Sequence, residues 1–259
     1  MCSERLEQAD TLRAWLQRKP FALGLSSGFF GFFAHAGLVT VLEDEHLLPD
    51  RLSGSSAGAL VAGFWAAGLP AARITEELLA MRRRDFWDPW PGAGLLRGRR
   101  FRRRLESLLP VERFEQCRWP LAVSTYDLLA RRVRVLDSGP LAAGLHASCA
   151  VPLLFQPAWI GRRPCVDGGV RDRHGLAGMP EGARLFYHHL ASRSPWRSPD
   201  SPALRLPARP GTVSLVIDDL PRSGPFRLDE GPRIHRLAST AARCALDRPV
   251  IDGVVRLSV

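Results

Sequence analysis

The segment GSSAG, residues 54–58, fits the pattern G-x-S-x-G with Ser56 at its centre. The pattern describes a strand that ends, a chain that turns sharply and a helix that starts, with a serine hydroxyl pushed out at the tip. Gly54 and Gly58 leave room for backbone that side chains would block, and Ser55 and Ala57 are also small. The surroundings agree: a strand-like RLS precedes the motif and the apolar run AGALVAGFWAAGL follows it. A serine in this place also serves as a helix cap. As a nucleophile it would perform acyl transfer, and it would then need a base and a site for the oxyanion.

The stretch GLSSGFFGFFAHAGLVTVL, residues 24–42, offers the oxyanion site. It sets Gly24, Gly28, Gly31 and Gly37 among four phenylalanines and carries no formal charge. Glycine costs a helix about 1 kcal/mol against alanine, so a plain core helix would not spend it here. Around Ser27, Gly28 and Phe29 the backbone is free to aim N–H groups at one point. A helix starting at Phe32 points its N-terminal dipole near the same place. The phenylalanines would exclude water and so strengthen those N–H bonds. A tight strand–helix packing turn without catalysis is the other reading.

The base has two kinds of candidate. A triad of the α/β-hydrolase type runs Ser, then Asp or Glu, then His. The downstream histidines are His146, His174, His188, His189 and His235, and none stands in a telling context. Asp167 does: in RRPCVDGGVRD it ends an apolar strand and is followed by Gly168 and Gly169, which permit close approach to another loop. A carboxylate before glycines also suits a plain turn. An exposed aspartate, with a pKa near 3.9, is a weak base, and an apolar setting supplied by the phenylalanines, Trp87 and Trp90 would strengthen it.

Taken together, the glycine loop, the GxSxG and a DGG 111 residues after the serine resemble the patatin-like phospholipase family. The resemblance covers about residues 20–250 and includes LHASCAVPLLFQP ahead of the aspartate. It implies a three-layer α/β/α sandwich with a central, mostly parallel sheet. It also implies a Ser56–Asp167 dyad without a catalytic histidine, and an oxyanion hole around Ser27, Gly28 and Phe29. The implied activity is hydrolysis of lipid acyl esters through an acyl-serine, of the phospholipase A, lysophospholipase or lipase type. The loop departs from the family pattern G-x-G-x-x-G: Ser26 takes the first glycine position and no basic residue falls inside SSGFFG.

The elements that must position these residues follow from the hydrophobic pattern. Strands are expected at Phe21–Leu25, Arg51–Ser53, Leu121–Thr125, Val133–Leu136, Ala158–Ile160, Pro164–Val166, Leu185–His188 and Val213–Ile217. Helices are expected over 1–18, Phe32–Glu45, Ser56–Gly68, Pro70–Arg83, Pro140–Ala150 and Arg233–Leu246, the last closing the fold. Residues 85–96 read as an aromatic, proline-rich loop, and 192–211 as a flexible one rich in Ser, Pro and Arg. Alternating strands and helices point to an α/β sandwich. The domain division is a helical extension, 1–19, and one hydrolase domain, 20–259.

Phe21–Leu42 and Leu52–Ala72 lack Asp, Glu, Lys and Arg and reach membrane-spanning length. Each holds four glycines and changes midway from a strand-like to a helix-like run, so each reads as a buried strand–turn–helix unit. The chain has 259 residues, 46% of them hydrophobic, and a net charge of +10 in which Lys19 is the single lysine. Arginines concentrate at 82–84 and in GLLRGRRFRRRL, residues 94–105, a solvated helix face or a patch for peripheral contact with an anionic membrane. Nucleic acid is not expected, because arginine content alone would support it. Five cysteines without a CxxC pair argue against a disulfide framework or a zinc ribbon, and no cluster has metal-ligand spacing. No metal and no cofactor are expected. The charged N-terminus lacks an apolar signal core, which suggests a cytoplasmic protein, peripheral at the membrane if the basic patch docks there. A basic membrane-docking protein that binds lipid without catalysis is the reading outside the enzymes.

Overall fold

A computed structural model describes residues 10–191, 201 and 204–259. Among the described residues nine strands form the main sheet, and its backbone path runs β11-β10-β9-β1-β2-β4-β8-β7 with β5 paired to β4. The six strands β11 (Val254–Ser258), β10 (Thr212–Asp218), β9 (Leu185–Leu190), β1 (Ala22–Leu25), β2 (Arg51–Ser55) and β4 (Leu121–Asp127) are parallel. β5 (Arg132–Leu136), β7 (Ala158–Ile160) and β8 (Arg163–Asp167) run antiparallel to their neighbours. The sheet is flanked by helices, as the alternation of elements requires.

Both long apolar stretches are strand–turn–helix units. β1 feeds α2 (Phe32–Asp44), in which ten residues are buried, and β2 feeds α3 (Ala57–Ala66), which is buried throughout. A helix apolar all round belongs inside a core. No helix among the described residues is long and apolar enough to cross a membrane. α4 (Ala71–Ala80) and α7 (Gly231–Leu246) are amphipathic and pack against α2. On the opposite face of the sheet, Ala22, Met179, Leu185 and Tyr187 form a smaller core with Leu176 and Ala183.

Most expected elements stand within a few residues of their bounds, Pro70 at the N-cap of α4 among them, with three corrections. Residues 94–96 of the aromatic loop are a short strand, β3 (Gly94–Leu96), paired with β6 (Leu153–Phe155). The last helix does not close the fold, because β11 follows it and extends the sheet beside β10. The N-terminal helix is α1 (Leu12–Arg18), capped by the Thr11 hydroxyl, and its expected part at 1–9 lies outside the described residues. So does most of the expected loop at 192–211, namely 192–200 and 202–203.

The remaining helices complete the frame. α5 (Arg99–Leu108) buries Phe101 and Leu105 and turns its arginines outward, while α6 (Leu141–Ser148) is buried along its whole length.

Candidate active site

Parallel register brings the ends of β1, β2 and β4 to one edge of the sheet, where the chain leaves each strand toward its next element. Ser56 stands there between β2 and α3 with φ 53° and ψ −120°. Backbone in this region is unfavourable for any residue but glycine and is held at a cost of about 1–3 kcal/mol. Of the seven described non-glycine residues with positive φ, Phe30, Ser56 and Leu153 line the cavities beside the serine.

The elbow is locked by close backbone approach. A Cβ on Gly58 would run into the carbonyls of Leu25 and Ser26, so only glycine lets α3 lie against the end of β1. Gly54 is pressed in the same way against the Gly58–Ala59 peptide, its Cβ position 2.7 Å from Ala59 N. The Ser56 N–H donates to Ser148 Oγ at 3.0 Å, and Ser148 Oγ donates to the Ser124 carbonyl at 2.7 Å. Ser148 thus ties the elbow to α6 and β4.

Ser56 Oγ donates to Asp167 Oδ2 at 2.5 Å, and both residues are buried, 6% and 5% exposed. Asp167 ends β8, which pairs antiparallel with β4, so the aspartate comes from the edge of the sheet toward the serine. Its other oxygen, Oδ1, accepts from Gly169 N at 2.7 Å, which fixes the carboxylate plane. Gly168 lies against the Ser124 carbonyl and Gly169 against Ser27 Oγ, where side chains would collide. Cys149 Sγ donates to the Ser56 carbonyl at 3.3 Å. Burial, with the Asp167 carboxylate, holds that thiol well above its ordinary pKa, so it stays protonated and is no rival nucleophile.

The loop after β1 divides its roles. Ser27 N–H donates to the Arg173 carbonyl at 2.7 Å and is not available to an oxyanion. That removes one of the three expected donors. Gly28 N–H has no partner among the described residues, and Gly31 N–H turns back to the Gly28 carbonyl at 2.9 Å. Gly28 and Gly31 both face Leu190 Cδ1, which would meet a Cβ on either. The loop is held from below by side chains. Ser26 Oγ accepts from Leu190 N at 2.9 Å, and Arg173, 3% exposed, donates to the carbonyls of Ser27 and Leu190 at 3.2 and 2.7 Å. The basic residue missing from the loop's own sequence thus arrives from the segment after Asp167.

Two buried histidines prop the same loop. His35 Nε2 lies 2.8 Å from the Ser26 carbonyl and must donate to it. Burial pushes its pKa down to about 4, so the ring is neutral near pH 7 and Nδ1 is bare. His188 Nδ1, at 3.0 Å, then donates to His35 Nδ1. The other downstream histidines bond elsewhere. His174 meets the Arg205 carbonyl at 2.8 Å, His189 meets the Tyr187 hydroxyl at 3.5 Å, and His235 meets Thr75 at 3.0 Å. His146 packs edge-on against Phe101 and Phe155. None of these bonds reaches Ser56 or Asp167.

The apolar wall differs from expectation in its members. Phe30 and Phe32 border the serine with Phe86, Phe101 and Phe155, whereas Phe33 turns into the core. Trp87 and Trp90 do not line it: Trp87 stacks edge-on with Phe226 at 5.6 Å, and Trp90, 56% exposed, carries the Arg97 guanidinium over its ring. Serines and glycines at fixed spacing revealed the elbow and DGG. Ser148, Arg173 and the histidine pair act through three-dimensional contacts that leave no spacing signal, although Ser148 falls in LHASCAVPLLFQP. Among the described residues, no group of three His, Cys, Asp or Glu side chains could hold a metal ion.

A mostly parallel α/β fold whose second strand delivers a strained serine to a carboxylate defines the class, that of elbow-serine α/β proteins. The sequence profile of the patatin-like phospholipase family matches residues 23–178, and the chain belongs to that family. Uncharacterized NTE family proteins from Mycobacterium bovis and Mycobacterium tuberculosis are 31% identical over 154 residues, covering 58% of this chain and 43% of theirs. The match thus spans less than half the length of these curated relatives. A patatin-like phospholipase domain-containing protein from Yarrowia lipolytica is 38% identical over 77 residues, 27% of this chain and 9% of its own. The crystal structure of VipD from Legionella pneumophila superposes with a TM-score of 0.43 at 15% identity, over 83% of this chain and 52% of that one.

Proposed function

We propose that the protein is a serine hydrolase of lipid acyl esters, of the phospholipase A, lysophospholipase or lipase type, working through a Ser56–Asp167 dyad. The observation that carries this reading is the buried 2.5 Å bond from Ser56 Oγ to Asp167 Oδ2 on a strained elbow. Ser56 Oγ attacks the ester carbonyl carbon as its proton passes to Asp167. The tetrahedral oxyanion takes the Gly28 N–H, since the Ser27 and Ser56 N–H groups are engaged. Collapse breaks the bond to the alcohol, whose oxygen takes the proton from Asp167. Water then attacks the acyl-serine, gives its proton to Asp167, and the proton returns to Ser56 as the acid leaves. The histidine engagements support a dyad over a Ser–Asp–His triad. A fluorophosphonate probe should label Ser56, and purified protein should cleave short-chain or phospholipid esters that Ser56→Ala leaves intact. An unlabelled serine and no ester turnover would leave only a lipid-binding role.

Peripheral contact with an anionic membrane belongs to the same proposal. Arg104 pairs with Glu77 and Arg102 with Glu106, but Arg99 and Arg103 on the outer face of α5 meet no acidic partner among the described residues. Exposed Trp90, Leu95 and Leu153 stand nearby on and around the β3–β6 ribbon. Each basic contact is worth about 1 kcal/mol and is screened by salt. Arg99→Ser with Arg103→Ser should weaken sedimentation with anionic vesicles at low salt. Equal sedimentation of wild type with neutral and anionic vesicles would reject the contact.

A further inference from the structure

Ser56 sits between two cavities of different size and character. The inner one, about 60 Å³, is walled by Leu60, Met81, Phe86, Phe101 and Phe155, and Gly28 lies at its mouth. The outer one, about 680 Å³, is lined by Ser27, Leu153, Asp167, Val170 and Arg173. Ser56, Phe29, Val151 and Leu154 border both. Leu153, 83% exposed and held at positive φ, stands on the outer rim.

The position of Asp167 sorts the two halves of an ester between these cavities. When the tetrahedral state collapses, the C–O bond to the alcohol breaks and that oxygen takes the proton held by Asp167. The leaving oxygen must therefore face the carboxylate, which lines the outer cavity and not the inner one. The alcohol half lies outward and the acyl half inward, past Gly28. The inner walls are closed by rings: Phe30 and Phe86 have centroids 5.8 Å apart, and Phe101 and Phe155 6.0 Å apart.

Resting on the dyad reading, we infer that this protein prefers short acyl groups on bulky and largely apolar alcohols, because the acyl half enters the smaller cavity. Phe101 and Met81 set the acyl limit. Phe101 does so from the inner face of α5, whose outer face carries the arginines. Each methylene that fits or fails to fit an apolar pocket changes kcat/KM by about tenfold or more.

The test is kcat/KM for p-nitrophenyl esters from acetyl to dodecanoyl, with the mass of the acyl-serine read in parallel. Wild type should peak at an acyl group shorter than octanoyl and fall about tenfold or more at octanoyl. Met81→Ala and Phe101→Leu should each move the optimum toward longer chains, and Phe101→Ala further. With butanoyl held constant, enlarging the alcohol should change kcat/KM by less than that. A wild-type optimum at octanoyl or beyond would overturn the inference while leaving the dyad intact. So would an unchanged profile in folded Met81→Ala and Phe101→Leu. Absence of any acyl-serine together with an unlabelled Ser56 would instead overturn the dyad reading on which the inference stands.

Discussion

After β2 the chain turns within Ser56 itself, whereas after β1 six residues, Ser26–Gly31, intervene before α2. The two turns lie side by side and are held by different means. The elbow is fixed by backbone against backbone, Gly58 on the carbonyls of Leu25 and Ser26. The loop is fixed by side-chain bonds: its own Ser26 Oγ accepts from Leu190 N of β9, the Arg173 guanidinium donates to the carbonyls of Ser27 and Leu190, and His35 of α2 donates to that of Ser26. One turn presents a side chain and must be rigid to place it. The other presents backbone N–H groups, and its precision depends on what lies beneath.

That contrast predicts a ranking of effects. Gly58→Ala should be the most damaging to the fold, because neither colliding carbonyl can rotate away. A loss of about 3 kcal/mol in urea unfolding is expected, at the upper end for overpacking. Gly28→Ala meets only the far end of the Leu190 side chain, so stability should change little. Its cost should fall on kcat, about 10²–10³-fold with KM nearly constant, since the oxyanion exists only as the tetrahedral state forms. A folded Gly28→Ala enzyme with wild-type kcat would place the anion site elsewhere and erase the distinction between the turns.

The support under the loop should make itself felt in acid. Burial lowers His35 and His189 to about 4 and His188 well below the ordinary value. Between about 4 and 6.5 the unfolded chain therefore binds more protons than the folded one, and stability rises with pH. It is fully present above the unfolded value of 6.5 and is lost as pH falls through that value toward 4. Urea midpoints measured from pH 7.5 to 4.5 should decline through this window. A flat profile would show that the pair is not held neutral.

Much of this was legible in the sequence because it depends on residue type at fixed spacing. GSSAG and DGG carry their geometry locally, and the apolar runs at 21–42 and 52–72 each show the switch from strand to helix. Other features depend on partners far along the chain. VVRLS becomes β11 only because β10 offers it an edge, and β3 exists only where β6 pairs with it. The tryptophans of 85–96 resemble a wall for the site in composition, yet Phe101 and Phe155, from later elements, close it. Ser27 could be an oxyanion donor by sequence, and only the position of the Arg173 carbonyl removes it.

The central claim is that Asp167, and no histidine, accepts the Ser56 proton. The most direct measurement is steady-state hydrolysis of one soluble short-chain ester by Asp167→Asn, His188→Ala and His235→Ala, each checked for folding by circular dichroism. General-base catalysis is worth about 10²–10⁴-fold. Asp167→Asn should lose about that much in kcat, and His235→Ala should stay near wild type. His188→Ala, which loosens the support of the loop, should fall between them. Near-wild-type turnover by Asp167→Asn, with loss of activity in His235→Ala, would contradict the dyad.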